Sequence, residues 1–314
     1  MSEPPQESPT LSVVVPLCNE EGNVVFLTRE IRRAAESIGV PYEIVYVDDG
    51  STDDTWLLVR QVGAEDARVK GVSLSRNFGH QNAIFAGLNH ASGEVVITMD
   101  GDLQHPPSLL PELFEEWKRG NHVVETRRIE SEDVSFFKKT TSRWFYRIFS
   151  FLSGLPMAQG TSDFRLMDRL VVDAVIQMQD AALFLRGMAY WVGFRKTTVP
   201  YQAQSRHAGR TKYSLLRMFR FAMSSMLSFS LVPLRIGIWL GLITSGLAFV
   251  ELVYILVSYL RGNVVPGWAS TLAVISFMFG ILFILVGIIG SYIGNILETV
   301  KNRPRFIVKE RLGL

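Results

Sequence analysis

The 314-residue sequence has one cysteine, Cys18, so no disulfide can form within the chain. This usage fits a reducing compartment. Residues 1–10 are polar, proline-rich and acidic, and lack the basic and apolar regions of a secretory signal. Residues 1–180 are therefore expected to stay in the cytoplasm. Neither G-x-G-x-x-G nor G-x-x-x-x-G-K-[ST] occurs. The usual dinucleotide and P-loop fingerprints are excluded, and a nucleotide must be held in another way. Acid is missing from one long stretch: no Asp or Glu lies between Asp180 and Glu251, while nine Lys or Arg do.

Apolar residues are plentiful, at 48% of the chain, with a mean hydropathy of +0.19. The charged fraction of 20% argues against disorder. The formal charge of +2 conceals an asymmetry. Residues 1–180 hold 27 acids against 17 bases, a net of −10, and residues 181–314 hold 15 bases against 3 acids, a net of +12. An acidic front and a basic rear suit a catalytic part joined to something that meets anionic phosphates. The basic part runs into strongly apolar sequence, which favours a membrane over nucleic acid.

Two stretches look membrane-spanning. Segment 236–260 has 25 residues with one charge, Glu251, and 268–297 has 30 residues with none. A helix needs about 20 apolar residues to cross the hydrocarbon. Arg217, Arg220 and Arg235 precede the first span, and Lys301, Arg303, Arg305, Lys309 and Arg311 follow the second. Cation bias places both termini inside and the short link outside. Segments 214–230 and 134–152 are basic and amphipathic; each reads as an interfacial helix or as an ordinary core-facing one. The expected organisation is a flexible 1–10, a catalytic domain over 11–212, a juxtamembrane amphipathic helix over 213–232, two transmembrane helices over 233–298 and a basic cytoplasmic tail over 299–314.

In the front half, apolar runs at 11–17, 42–47, 69–74, 95–99 and 123–126 read as strands. Helical patterns fall between them at 24–38, 54–62, 81–89 and 107–119. Alternation of this kind predicts an α/β fold of parallel βαβ units, with ligands at the carboxyl ends of the strands. Asn19 and Glu20 follow strand one, Asp48 and Asp49 strand two, Asp100 and Asp102 strand four.

Asp100 and Asp102 end an apolar strand two residues apart and are expected on one face. Converging carboxylates repel unless a cation lies between them. Oxygen ligands suit Mg²⁺ or Mn²⁺, completed by substrate phosphates. Gln104 can add a carbonyl oxygen, Gly101 allows close approach of a ligand, and His105 reads as structural or as a support behind the ligands, since hard cations prefer oxygen. In Asp48-Asp49-Gly50-Ser51-Thr52, Ser51 or Thr52 is expected to cap the next helix. A carboxylate there can accept hydrogen bonds from a base or ribose. Segment 161–169 alternates acids and bases and reads as a surface ion-pair ladder. The loop Arg206-His207-Ala208-Gly209-Arg210-Thr211-Lys212 reads as a topology signal or as a diphosphate clamp using Arg forks.

Taken together, Pro16-Leu17-Cys18-Asn19-Glu20, Asp48-Asp49-Gly50-Ser51, Arg76-Asn77-Phe78-Gly79, Asp100-Gly101-Asp102-Leu103-Gln104-His105-Pro106, Asp163-Phe164-Arg165-Leu166-Met167-Asp168-Arg169 and 206–212 carry a resemblance. In this order they resemble the family-2 glycosyltransferases that charge a polyprenyl phosphate, namely bactoprenol glucosyltransferases and dolichol-phosphate mannose synthases. The two-span rear with Arg303-Pro304-Arg305-Phe306 is similar to the bactoprenol branch. The resemblance implies a GT-A, Rossmann-like, mostly parallel sheet with helices on both faces. It also implies a nucleotide-diphosphate sugar, UDP-glucose ahead of GDP-mannose, a divalent metal and inversion at the anomeric carbon.

Carried over by motif, Pro16, Cys18, Glu20 and Asp49 would line the nucleoside pocket. Asp100, Asp102 and Gln104 would hold metal and diphosphate, with Gly101 among them. Arg128, with Arg127 beside it, matches an arginine after strand five that serves the donor. Arg206 and Lys212 would contact phosphates, and Asp163 would orient the acceptor or act as a weak base. Cys18, Gly101 and Ser162 depart from the family's common aromatic, alanine and glycine. The implied partners are a nucleotide-sugar, a polyprenyl phosphate, the inner (plasma) membrane and further copies of the chain, without nucleic acid. A phosphatase of the D-x-D type is the first rival, but it wants Thr or Val where Gln104 stands. A non-catalytic membrane scaffold is the second.

Overall fold

The computed structural model describes residues 9–129, 161–178, 183–202, 232–262 and 267–314. Its centre is one eight-stranded sheet in the order β7-β5-β6-β4-β1-β2-β3-β8. The first five strands are β1 (Leu11–Leu17), β2 (Tyr42–Asp48), β3 (Val69–Leu74), β4 (Val95–Thr98) and β5 (Val123–Arg128). They are followed by β6 (Thr161–Asp168), β7 (Lys196–Tyr201) and β8 (Val308–Leu312). β1 pairs in parallel with β2 and β4, β2 with β3, and β5 with β7. β6 lies antiparallel between β4 and β5, and β8 antiparallel to β3. Six strands thus run one way and two against them.

Helices cover both faces. Every residue of β1 is buried, as a central parallel strand with two covered faces requires. Alternation along it divides the core. Val13 and Val15 pack with Leu27 and Ile31 of α1 (Val24–Ile38), Val59 of α2 (Thr55–Glu65) and Phe114 of α4 (Leu110–Lys118). Val14 points the other way, towards Ile84 and Leu88 of α3 (His80–His90), Val171 of α5 (Arg169–Gln177) and Met188 of α6 (Leu185–Trp191).

The rear of the chain forms two long helices, α7 (Val232–Leu260) and α8 (Trp268–Val300). Both are long and apolar enough to cross a membrane. Their large side chains, among them Trp239, Phe249, Phe277 and Phe283, are exposed. They lie antiparallel and close: a Cβ on Gly237 would stand 2.6 Å from Leu285 Cδ2.

Three sequence expectations need correction. Segment 299–314 is not a tail apart from the catalytic domain, because Val308–Leu312 pairs with β3 as the sheet's last strand. Segment 161–169 is not a surface ladder: β6 is an inner strand, and Asp163 and Arg165 are buried at 8% and 2% exposure. Its charges alternate because they meet one another inside. β4 stops at Thr98, so Asp100 and Asp102 lie in a turn beyond the strand and not on one strand face. The amphipathic segments 134–152 and 214–230 lie outside the described residues.

Candidate active site

β1, β2 and β4 end at the same edge of the sheet, and the loops beyond them form one cluster. After β1, Asn19 turns the chain with φ 57°. Its N–H donates to Ser51 Oγ (2.9 Å), and its Oδ1 accepts from Thr52 N (2.8 Å). Ser51 and Thr52 therefore tie the β2 loop to the β1 loop; they were expected to cap α2 and do not. The helix starts at Thr55, after Asp54. Glu20 N donates to Thr55 Oγ1 (2.9 Å), and Asn23 Nδ2 donates to Glu20 Oε2.

Asp49 is buried, and its two oxygens accept from Phe78 N (2.7 Å) and Gly79 N (2.9 Å). Burial pushes its carboxyl up; the two N–H groups oppose the rise. Gly50 has φ 65°, and a Cβ there would stand 2.5 Å from Arg76 carbonyl carbon. Only glycine lets these two loops meet so closely. Cys18 Sγ is exposed and accepts from Asn77 Nδ2 (3.1 Å). Burial of part of the thiol raises its pKa, against the Asn77 bond. Cys18, Asn19, Glu20 and Asp49 are thus brought to one rim, with the Arg76–Gly79 loop as its other wall.

Beyond β4, Asp100 N donates to His105 Nδ1 (2.9 Å). The His105 ring stacks on Phe164 with centroids 5.1 Å apart, and its Nε2 is 3.2 Å from Ser162 Oγ. His105 is structural, as expected. Leu103 takes φ 63° and turns the chain. Gln104 donates to Asp102 twice, from N (3.1 Å) and from Nε2 (2.9 Å). It was expected to offer an oxygen to a metal, but its amide nitrogen faces Asp102, as a carboxylate acceptor demands. A Cβ on Gly101 would stand 2.4 Å from Leu17 Cδ2 and 3.2 Å from Pro16 O. The space at Gly101 is filled by the end of β1 and not kept for a ligand.

Asp100 Oδ1 is buried and accepts no hydrogen bond, with His80 Nε2 3.3 Å away. Among the described residues no three His, Cys, Asp or Glu side chains form a cage. Mg²⁺ and Mn²⁺ need no such cage, since one or two carboxylates plus substrate phosphates hold them. An orphaned carboxylate oxygen beside Asp102 fits a hard divalent cation.

Asp163 of β6 lies behind His80. Arg186 of α6 grips it with two bonds, Nε to Oδ1 (2.8 Å) and Nη2 to Oδ2 (2.9 Å). Gln81 Nε2 donates to Oδ2 (3.0 Å), and Arg165 Nη2 stands 3.6 Å from Oδ1. Burial alone would raise the Asp163 carboxyl; the charge of Arg186, the His80 bond and Arg165 outweigh it and hold the group well below the usual carboxylate range. Burial likewise lowers His80, but Asp163 and Asp100 bring it above its ordinary value. An Asp held in this way stays ionised and accepts donors; it is a poor proton acceptor.

On β5, Arg128 pairs with Tyr201 of β7, and the Tyr201 ring lies 5.9 Å from His105. Residues opposite one another on paired strands share a face. Arg128 is therefore on the His105 side of the sheet and Arg127 on the other. Burial raises the Tyr201 hydroxyl, Arg128 opposes the rise, and Asp100 and Asp102 add to it. The first five motifs meet here. Arg206 and Lys212 lie outside the described residues. Sequence reading passed over His80, Gln81 and Arg186. The first two directly continue the Arg76–Gly79 string, which is the signal that could have found them; Arg186 has no local signal.

Residues 12–176 match the glycosyl transferase family 2 domain. The chain is a family 2 glycosyltransferase. A prophage bactoprenol glucosyl transferase homolog of Escherichia coli K12 is 36% identical over 300 residues, which is 95% of this chain and 98% of that one. The bactoprenol glucosyl transferase of Shigella phage SfII is 36% identical over 96% of this chain and 97% of its own. An uncharacterized glycosyltransferase of Bacillus subtilis is 37% identical, over 96% and 94%. Among solved structures, glucosyl-3-phosphoglycerate synthase of Mycobacterium tuberculosis was crystallised with Mn²⁺, UDP and glucosyl-3-phosphoglycerate. It superposes with a TM-score of 0.52 at 18% identity, covering 71% of this chain and 80% of that chain. The sheet and helices of this glycosyltransferase are accordingly those of a GT-A fold, followed by two apolar helices.

Proposed function

We propose that this glycosyltransferase moves a hexose, with UDP-glucose as the favoured donor, onto a polyprenyl phosphate at the cytoplasmic face of the inner membrane. The single observation that carries the reading is structural. A carboxylate pair with an orphaned oxygen sits on a sheet whose strands β7 and β8 flank, in sequence, an antiparallel apolar hairpin. The names of the two bactoprenol relatives give it the acceptor class. The chain beyond α8 returns to the sheet as β8, and the cation bias supports a multi-pass chain with both termini and the catalytic domain cytoplasmic.

Pro16, Cys18, Glu20 and Asp49 are assigned to the nucleoside and Arg128 to the donor's phosphate side, while Gly101 serves the close packing of this turn on the end of β1. Arg206 and Lys212 are assigned to phosphates at the membrane surface. Asp100 and Asp102 would hold Mg²⁺ or Mn²⁺, which when bound offsets the charge growing on the departing diphosphate. Gln104 then serves as the group that orients Asp102. A lipid monophosphate has its second pKa near ~6 and is largely a dianion at pH 7. Its oxygen forms the bond to the anomeric carbon as the bond to diphosphate breaks, and a single displacement inverts that carbon. No strong base is needed, and the gripped Asp163 is assigned the role of a fixed, orienting charge.

The test uses sealed vesicles carrying the protein, polyprenyl phosphate, Mg²⁺ or Mn²⁺, and either UDP-glucose or GDP-mannose, neither of which crosses a bilayer. Inside-out vesicles should form a lipid-phosphate-sugar and release UDP, while right-side-out vesicles should do so only after detergent. GDP release from GDP-mannose alone would replace glucose with mannose. Release of inorganic phosphate, or of nothing, would sink the transferase reading.

A further inference from the structure

The Arg76–Gly79 loop is supported from two sides. Facing the site, Asp49 takes the N–H groups of Phe78 and Gly79, and Asn77 bonds to Cys18. Behind it stands the segment that follows α8. Ser75 N, one residue before the loop, donates to Ile307 O (2.9 Å). Phe78, Phe306 and Val308 pack on the same small core of Val47, Val72, Leu74, Ala83 and Ala86.

The segment itself is firmly seated. Phe306 lies edge-on to Phe85, with centroids 6.5 Å apart. Arg305 donates to Met178 O (2.9 Å) and stands over the Phe85 ring. Glu310 accepts from Trp56 Nε1 (2.9 Å) and pairs with Arg60 at 3.6 Å. The chain reaches these contacts only after passing through α7 and α8.

We propose that Phe306 is a positioning residue for the nucleotide-sugar. With the β8 pairing behind it, Phe306 packs on the same small core as Phe78 and through that core fixes the loop whose other side Asp49 and Cys18 complete. The donor pocket is then finished only by a chain that has left the membrane again. That the loop serves the donor rests on the transferase reading above; that Phe306 sets the loop does not.

The experiment uses the full chain in detergent as wild type, Phe306→Ala and Phe306→Leu. Amide hydrogen exchange is followed in residues 75–79 and 11–17, UDP and GDP affinity by calorimetry, and KM for polyprenyl phosphate by transfer. Exchange reports local opening separately from global stability. Phe306→Ala should speed exchange at 75–79 by about tenfold and weaken UDP or GDP binding by about tenfold, a change of ~1.4 kcal/mol. Exchange at 11–17 and the lipid KM should hold. Phe306→Leu should restore most of both. Unchanged exchange at 75–79, equal acceleration at 11–17, or an equal loss for the lipid would overturn the proposal. If Phe306→Ala unfolds, Phe306→Leu is compared with wild type, and a smaller shift confined to 75–79 supports the proposal while none overturns it. A wild-type protein that binds neither UDP nor GDP, yet whose loop responds to Phe306, would support the coupling and sink the donor reading.

Discussion

The acids beyond β2 and those around β4 and β6 are used in opposite ways. Asp48 and Asp49 spend most of their oxygens on near neighbours: Asp48 on Ser51 N and Ser73 Oγ, Asp49 on two loop amides. They fix backbone, and the pocket they shape is a shape in the main chain. Asp163 instead gathers side-chain donors from Arg186 and Gln81, with Arg165 and His80 close by. Asp100 keeps one buried oxygen that accepts no hydrogen bond, with His80 Nε2 3.3 Å away. The first group suits recognition of a neutral, flat moiety by close fit. The second suits the handling of charge, where a carboxylate must stay ionised and one must stay open.

The sharpest way to break this contrast is Asp102→Asn. If the acids beyond β4 hold a cation, the loss should exceed that for a group behind a ligand, which is about 10–100-fold. A fall in kcat of more than ~100-fold with an unchanged melting temperature is the expected outcome. Activity within about tenfold of wild type would remove Asp102 from the site.

Asp163→Asn comes next, and its main effect should be on stability. It leaves buried Arg165 and half-buried Arg186 without their counter-charge, a loss of about 3–5 kcal/mol, or roughly 6–20 °C in Tm at this size. The sign with pH follows from a folded-state pKa below the unfolded one. The carboxylate's contribution is fully present above its unfolded pKa of about 3.9 and is lost as pH falls through the lower folded value. The Tm gap between wild type and variant should therefore be widest near pH 5, narrow as pH rises through the raised pKa of His80, which loses its Asp163 partner in the variant, and close under strong acid. A gap that goes on growing below about pH 4 would contradict the ionised, gripped Asp163.

Asp49→Asn should act least and elsewhere. One charge-assisted bond is worth about 1.5–3 kcal/mol, so the KM for nucleotide-sugar should rise by roughly one to two decades while kcat holds. A kcat defect as large as that of Asp102→Asn would erase the distinction between the two groups of acids.

Much of this was legible in the sequence. β1, β3 and α1 lie where periodicity puts them, because each has a continuous apolar run or a clear helical stripe bounded by turn residues. β6 was not legible as a strand, since its inward charges are matched by residues from α3 and α6, which lie elsewhere along the chain. β8 reads as a charged tail because an edge strand with Lys309 and Arg311 exposed needs few apolar residues. The sequence placed Asp100 and Asp102 at the end of β4 but not their geometry: the strand ends earlier, and positive φ at Leu103 in a non-glycine gives no warning. Arg186 could not be found, for a bidentate grip on a carboxylate across the fold leaves no trace in either residue's neighbourhood.

The late arrival of β8 bears on how the chain is made. β3 is complete once Leu74 has emerged from the ribosome, but its outer edge has no partner until Val308–Leu312 follows. An open edge of this kind invites pairing with other strands. Closing so long a loop would be slow in a free chain. Here the antiparallel packing of α7 on α8 brings the ends of the detour together before the last residues appear. On the proposed membrane placement, bilayer insertion would shorten the search for the final strand, and a nascent chain stalled between the two helices would carry an exposed, adhesive sheet edge.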